Sequence, residues 1–211
     1  MRPYLWRIPK NFPDRLMLNY RWRERSTDSL IFMQGRSLPF DTGLPHWRAP
    51  AQDPKDYDLV LHTEASPEKW LQYDCLPNNT VGNSPVVNSR TLALLSTLCP
   101  EDFQAFPVVI KNENSKIPDF ENHDYHLINI THRVRAVDSE RTVFSTLSEE
   151  LGGSPIGVRG DLYLHEKCLN DHHLVRDDIL DFILVSPELV ALFKKEKIKG
   201  VRFMKEEEYY H

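Results

Sequence analysis

A segment rich in histidine and carboxylate groups, residues 165–178, carries the residue types best suited to chemistry. Imidazole, thiolate and carboxylate are the ligands that zinc selects, and His165, Cys168 and His172 would converge if the segment formed a turn of helix. Their spacing matches no standard zinc signature, and nine histidines in the chain make some clustering expected by chance. We therefore predict a surface segment with titrating histidines, and we retain a metal-dependent hydrolase using these three residues as an alternative.

Sequence motifs for phosphate binding and nucleophilic catalysis are absent. The chain has only 8 glycines, and none forms a loop whose backbone amides could cradle phosphates. The nearest approach to a nucleophile elbow, residues 82–85, lacks the second glycine and places a proline in the turn. The sequence predicts a protein that is not an enzyme and that uses no metal or cofactor.

Acidic side chains offer a different use, the recognition of a partner. Lys and Arg total 26 against 31 Asp and Glu, and the formal net charge of -5 favours a cationic partner over nucleic acid. The candidate contacts lie in a polar stretch between two apolar strands, where exposure would not disrupt the core. They are Asp161, Glu166, Asp171, Asp177 and Asp178.

Length and composition restrict the architecture. A chain of 211 residues fits one globular domain or two small subdomains that share a core. No apolar run approaches the roughly 18 residues that span a bilayer, which predicts a soluble, cytoplasmic protein. Cys75, Cys99 and Cys168 are odd in number and widely separated, so we predict free, mostly buried thiols.

The elements that must position these residues begin with a strand-rich N-terminal portion, residues 1–80. Apolar runs punctuated by proline and glycine are typical of short strands, and a long loop interrupts them. Ser66 followed by Pro67 predicts the start of a helix. The predicted strands cover residues 4–8, 16–20, 29–33 and 58–62, and the predicted loop covers residues 35–54.

A weak internal repeat organises the remainder, residues 81–211. Residues 86–95 align with residues 183–192, pairing Ser89 with Ser186, and both copies predict a strand, a serine cap and an amphipathic helix. A further apolar run follows each copy. We predict an α+β fold with a mixed sheet or sheets, a few amphipathic helices and two related strand–helix–strand units, in which both portions form one compact unit.

The stretch between the two copies of the repeat predicts two further strands and a turn region. Alternating apolar residues predict a strand over residues 124–131, and a short apolar run predicts another over residues 161–164. Glycines and proline predict turns at residues 152–155 and 157–160.

Three blocks of the C-terminal half resemble a bacterial family of polymorphic-toxin immunity proteins, the eleventh such family. They are PVVNS at residues 85–89, YHLINI at 125–130 with Val-Asp at 137–138, and DFILVSPEL at 181–189 continuing through residues 199–203. The resemblance covers roughly residues 80–205, and the first eighty residues are poorly matched.

The resemblance implies a non-catalytic immunity protein that binds and neutralises a cognate toxin or secreted effector. It also implies a neighbouring toxin gene and delivery by contact-dependent or type VI secretion. The acidic charge balance and the lack of a long apolar run predict that neither nucleic acid nor a membrane is a partner. The family has no catalytic residues to carry over. A structural adaptor of a secretion apparatus is the remaining alternative.

Overall fold

The computed structural model describes residues 2–13, 19–20, 59–77, 84–112, 120–146, 153 and 155–209. Within these ranges the helices are α1 (Pro67–Trp70), α2 (Ser89–Leu98) and α3 (Pro187–Lys195), with 3-10 turns at Pro100–Asp102 and Glu206–Glu208. The strands are β1 (Tyr4–Arg7), β2 (Asn19–Tyr20), β3 (Leu59–Thr63), β4 (Cys75–Leu76), β5 (Val86–Asn88), β6 (Phe103–Asn112), β7 (Glu121–Ile130), β8 (Arg133–Val134), β9 (Phe144–Thr146), β10 (Pro155–Val158), β11 (Leu174–Asp177), β12 (Ile183–Val185) and β13 (Arg202–Met204).

The described strands form two mixed sheets and an antiparallel ribbon. The first sheet has the order β2-β3-β6-β7-β5-β4, and the second has the order β13-β1-β12-β11-β8. Strand β3 runs parallel to β6 and β11 runs parallel to β8, whereas the other neighbours are antiparallel. Strands β9 and β10 form the ribbon. The predicted α+β class is confirmed.

The internal repeat corresponds to two split strand–helix–strand units, one in each sheet. Strands β5 and β6 are both antiparallel to β7, so they are parallel to each other, and α2 connects them. Strands β12 and β13 are likewise both antiparallel to β1, and α3 connects them. Each unit therefore holds an antiparallel strand between its two parallel strands. The repeat lies in two sheets, a choice that the sequence left open.

The caps of the two longer helices differ from the predicted serine pair. Ser186 caps α3 as predicted, because its Oγ accepts the N–H of Leu189 at 3.1 Å. In α2 the cap is Asn88, whose Oδ1 accepts the N–H of Thr91 at 3.0 Å. Ser89 is the first helical residue, so the two copies correspond one position earlier than the predicted pairing.

The two units share an apolar core. Val87 and Leu95 of the first unit belong to the same buried cluster as Val185, Leu189 and Phe193 of the second. Helix α3 contributes three buried side chains at helical spacing, as its predicted amphipathic pattern requires. The predicted thiols are also confirmed as free and buried, and burial raises the pKa of each, to about 12 for Cys99 and about 11 for Cys168.

A close backbone contact joins the two units at their edges. The carbonyl of Lys199 accepts the N–H of Cys75 at 2.9 Å, and the Asp74 carboxylate accepts the N–H of Lys199 at 2.8 Å. Gly200 follows with a φ of 93°, and a Cβ atom there would lie 1.8 Å from the carbonyl oxygen of Cys75. Only glycine satisfies both the positive φ and the close approach.

Several local predictions need correction. Residues 155–158 form β10 although their composition predicted turns, because they pair with β9 in a ribbon. Residues 161–164 are not a strand, since Leu164 makes a single bridge to Val137. Of the strand predicted at residues 16–20, β2 covers Asn19–Tyr20, and the strand at 29–33 and the loop at 35–54 lie outside the described residues.

Candidate functional site

The predicted partner-binding acids centre on an irregular segment, residues 159–173, between β10 and β11. Leu162 and Leu164 are buried in an apolar cluster with Val137, and the bridge between Val137 and Leu164 fixes the backbone. Several polar side chains on either side of these anchors face solvent. The structure exposes Asp161, Glu166 and Asp171, as a contact with a partner requires.

The segment is tied to both ends of the described chain. Its Leu164 N–H donates to Glu206 at 2.7 Å, and Arg2 lies 3.7 Å from the same Glu206. Arg2 also pairs with Glu166 at 3.5 Å, but both side chains are about 70% exposed, so water screens the attraction. The Glu166 side chain therefore stays largely exposed to solvent.

Asp177 does not belong to the exposed set. It is fully buried, and its carboxylate accepts four backbone N–H groups. Burial raises the pKa of Asp177, while these four hydrogen bonds act to lower it. The predicted exposure of Asp177 is therefore wrong. Its side chain joins β11 to the backbone at residues 136–137 and to the turn that follows β11. The donors are Ala136 at 3.0 Å, Val137 at 3.1 Å, Ile179 at 3.0 Å and Leu180 at 2.6 Å.

Asp178 is intermediate between these cases. The residue is half-buried, its N–H donates to the carbonyl of Val134 at 3.0 Å, and its Oδ1 atom is buried. Its predicted exposure holds only in part, so it offers less of its charge to a partner than Asp161 does.

A second feature of the region is a histidine cluster built on the buried carboxylate of Asp102. Its Oδ2 accepts the N–H groups of His173 at 2.8 Å and Leu174 at 3.0 Å. Its Oδ1 lies 2.7 Å from Nδ1 of His172 and 3.9 Å from Nε2 of His132. The His132 and His172 rings stack with centroids 3.7 Å apart and planes at 24°. Residues that precede β11 are thereby fixed to the turn that follows α2.

A cavity of about 540 Å³ adjoins this cluster. Asn170 and Asp171 line this cavity and adopt left-handed backbone conformations, with φ of 48° and 68°. Asn and Asp tolerate such conformations better than other non-glycine residues do. The next residues turn inward, and His173 Nδ1 lies 2.8 Å from Oγ of Ser186, the cap of α3. The polar lining residues are Lys167, Asn170, Asp171, His172, His173, Ser186 and Glu188.

The sequence-predicted metal ligands are not the group that the fold assembles. Among the described residues, the ligand atoms of Asp102, His132 and His172 lie within 4.8 Å of one another. Cys168 is buried in an apolar cluster, and burial raises the pKa of its thiol to about 11. His165 is exposed. Only His172 of the predicted set takes part, so the described residues do not assemble the predicted His165–Cys168–His172 ligand set.

Comparison with protein families tests the family resemblance that the three sequence blocks indicated. The Immunity protein family (Imm11) matches residues 18–208, which is most of the chain. The chain belongs to this family. The match begins well before residue 80, so the predicted limit of the resemblance was too narrow, and β3 and α1 lie within the Imm11 span.

Membership of Imm11 supports an immunity-protein role, the binding of a toxin in general terms, and a non-enzymatic activity. No curated protein matches the chain. In the part of the Imm11 chain that the structure describes, no helix has the length and apolar character needed to cross a membrane.

Sequence reasoning missed two polar clusters of this Imm11 protein. Asp102 and His132 lie 70 and 40 positions before His172, so local spacing could not group them. His132 directly follows the strand predicted over residues 124–131, and Asp102 lies in the turn between α2 and β6. The second cluster contains Arg176, which is fully buried and donates to Asp181 at 2.7 Å. Arg133 donates to the other oxygen of the same carboxylate at 2.9 Å.

Proposed function

We propose that this Imm11 protein binds a cognate bacterial toxin or secreted effector and neutralises it without catalysis. The family match over residues 18–208 carries the proposal. We further propose that it acts in the cytoplasm, within a polymorphic-toxin system that uses contact-dependent or type VI secretion. Its partner on this proposal is a protein, not nucleic acid or a membrane.

Co-expression with neighbouring genes tests the proposal. One neighbouring product should arrest growth when expressed alone, and co-expression of this chain should restore growth and yield a complex that survives gel filtration. A structural adaptor would form a complex without restoring growth. Growth arrest that persists in the presence of the folded protein would contradict the proposal for that toxin.

We propose that exposed acids of the irregular segment contribute to recognition. Residues 161–173 contain three acidic side chains and one lysine, and the whole chain has a net charge of -5. Such a surface attracts a cationic patch on the toxin and raises the association rate, an effect that salt screens. Asp161, Glu166 and Asp171 are the proposed contacts, and Asp178 is a weaker candidate because it is half-buried.

Neutralising these charges gives a direct kinetic test. The triple variant Asp161→Asn, Glu166→Gln, Asp171→Asn should associate with the toxin about 5-fold more slowly at low salt, with a flatter salt dependence. Asparagine suits the left-handed conformation of residue 171, so the fold should persist. A matched control removes the same charge from three exposed acids elsewhere: Glu64→Gln, Glu68→Gln and Glu140→Gln.

The two triple variants separate a local contact from a general charge effect. Equal slowing in both would assign the effect to net charge alone. Unchanged association of the first variant across low and high salt would remove the irregular segment from the interface while leaving the immunity role intact.

A further inference from the structure

We propose that Asp102, His132 and His172 form a binding site for one divalent first-row transition metal ion, such as Zn²⁺. The group supplies two imidazole nitrogens and one carboxylate oxygen, a donor set that zinc and its neighbours accept. The three ligand atoms already lie within 4.8 Å of one another. The site shares His172 with the His165–Cys168–His172 set but includes neither His165 nor Cys168.

The distances between the donor atoms fit a single ion. Zinc ligands at about 2.0–2.2 Å in tetrahedral geometry are separated from one another by roughly 3.3 Å. Asp102 Oδ1 lies 2.7 Å from His172 Nδ1 and 3.9 Å from His132 Nε2, on either side of that value. The stacked rings, with centroids 3.7 Å apart, must also open, because two imidazoles that hold one tetrahedral ion have centroids roughly 5 Å apart. Opening of the two partly exposed rings by roughly 1–1.5 Å therefore brings all three donors to one ion.

The surroundings of the carboxylate orient it for this purpose. Two backbone N–H groups, from His173 and Leu174, occupy Oδ2 and leave Oδ1 facing both imidazoles. Hydrogen bonds of this kind fix ligand orientation and tune affinity in metal sites. Asp102 is itself buried, whereas His132 and His172 are 37% and 31% exposed at the side chain. An ion can thus enter from solvent and meet a fixed carboxylate.

The two donor nitrogens have protein partners that an ion would replace. His132 Nε2 lies 3.1 Å from the carbonyl of Glu101 and His172 Nδ1 lies 2.7 Å from Asp102. A metal ion needs the lone pair of each nitrogen, so it would take the place of both hydrogen bonds.

The consequence of binding is a cross-link between the two sheets. Asp102 lies between α2 and β6 of the first sheet, and His132 lies between β7 of the first sheet and β8 of the second. His172 precedes β11 of the second sheet. An ion at this site should raise the melting temperature, because it binds the folded arrangement and not the unfolded chain.

Titration of the untagged full chain with ZnCl₂, followed by calorimetry, tests the site. We expect saturable binding of one ion per chain, at least about 100-fold weaker in His132→Ala and in His172→Ala, since even outer-shell changes cost up to that factor. CoCl₂ should give a visible absorption band in the wild type that both variants lose. His123→Ala, a change at an exposed histidine elsewhere on β7, should bind as the wild type does.

His165→Ala separates this site from the one that the sequence predicted. It should leave zinc binding unchanged. Loss of binding in His165→Ala with no loss in His132→Ala would overturn the proposal, as would wild-type affinity in both His132→Ala and His172→Ala. Absence of saturable binding to the wild type would also overturn it. Melting curves without metal confirm that each variant is folded, and the exposed positions of both rings favour that result.

Discussion

Replacement of Asp177 by asparagine should destabilise the protein strongly, although the two side chains are nearly isosteric. The carboxylate accepts four backbone N–H groups, two at each oxygen. Asparagine replaces one oxygen by an NH₂ group, which leaves two buried N–H donors facing another donor. Each unsatisfied donor costs about 1–3 kcal/mol, so the free energy of unfolding should fall by about 2–6 kcal/mol.

Thermal unfolding measures this effect. A protein of this size loses about 2–4 °C of melting temperature per kcal/mol, so Asp177→Asn should melt at least about 4 °C lower. Asp161→Asn makes the same chemical change at an exposed position and should shift the free energy by under about 0.5 kcal/mol. If the two variants melted within about 2 °C of each other, the role assigned to the buried carboxylate would be refuted.

The remaining predictions concern backbone geometry, helix caps and thiols. Gly160→Ala should lower the free energy of unfolding by about 1–2 kcal/mol, because of its positive φ alone. Gly200→Ala should lower it by about 3 kcal/mol or more, because the new methyl group also meets the β4 carbonyl. Equal melting temperatures of the two variants would contradict the close approach. Asn88→Ala should lower the free energy of unfolding by about 1 kcal/mol, and Ser89→Ala should lower it by less. The reverse order would indicate that Ser89, and not Asn88, caps α2. The three buried cysteines should resist alkylation at pH 8 and react after denaturation, because raised pKa values keep the thiols protonated; rapid reaction of the native protein would contradict their burial.

Local sequence signals predicted the elements whose structure depends on neighbouring residues. Ser186 followed by Pro187 marks the start of α3, because a hydroxyl cap and a first-turn proline act within one helical turn. The location of β1 between β12 and β13 could not be predicted in this way. That pairing joins opposite ends of the chain, and strand periodicity carries no information about which distant strand is the partner.

The same distinction explains the outcome at the candidate site. Exposure of Asp161 follows from its position in a polar stretch, which the sequence shows directly. Arg176 and Asp177 lie in a strand whose four residues are all buried. The usual alternation of exposed polar and buried apolar residues therefore could not predict that these two charged side chains are buried. Asp102 and His172 meet through folding across 70 positions, and the sequence pattern placed His172 with Cys168 instead.

Titration of toxin activity against this protein tests the central claim, neutralisation by binding without catalysis. A fixed amount of the toxin identified by co-expression is mixed with increasing amounts of the folded chain, and the residual toxin activity is measured after short and long incubation. We predict that activity falls in proportion to added protein, reaches its minimum at a fixed molar ratio, does not change with time, and returns when the complex is dissociated under denaturing conditions and the toxin is refolded. Progressive inactivation by a small molar fraction of the protein, with toxin that stays inactive after separation, would contradict the claim.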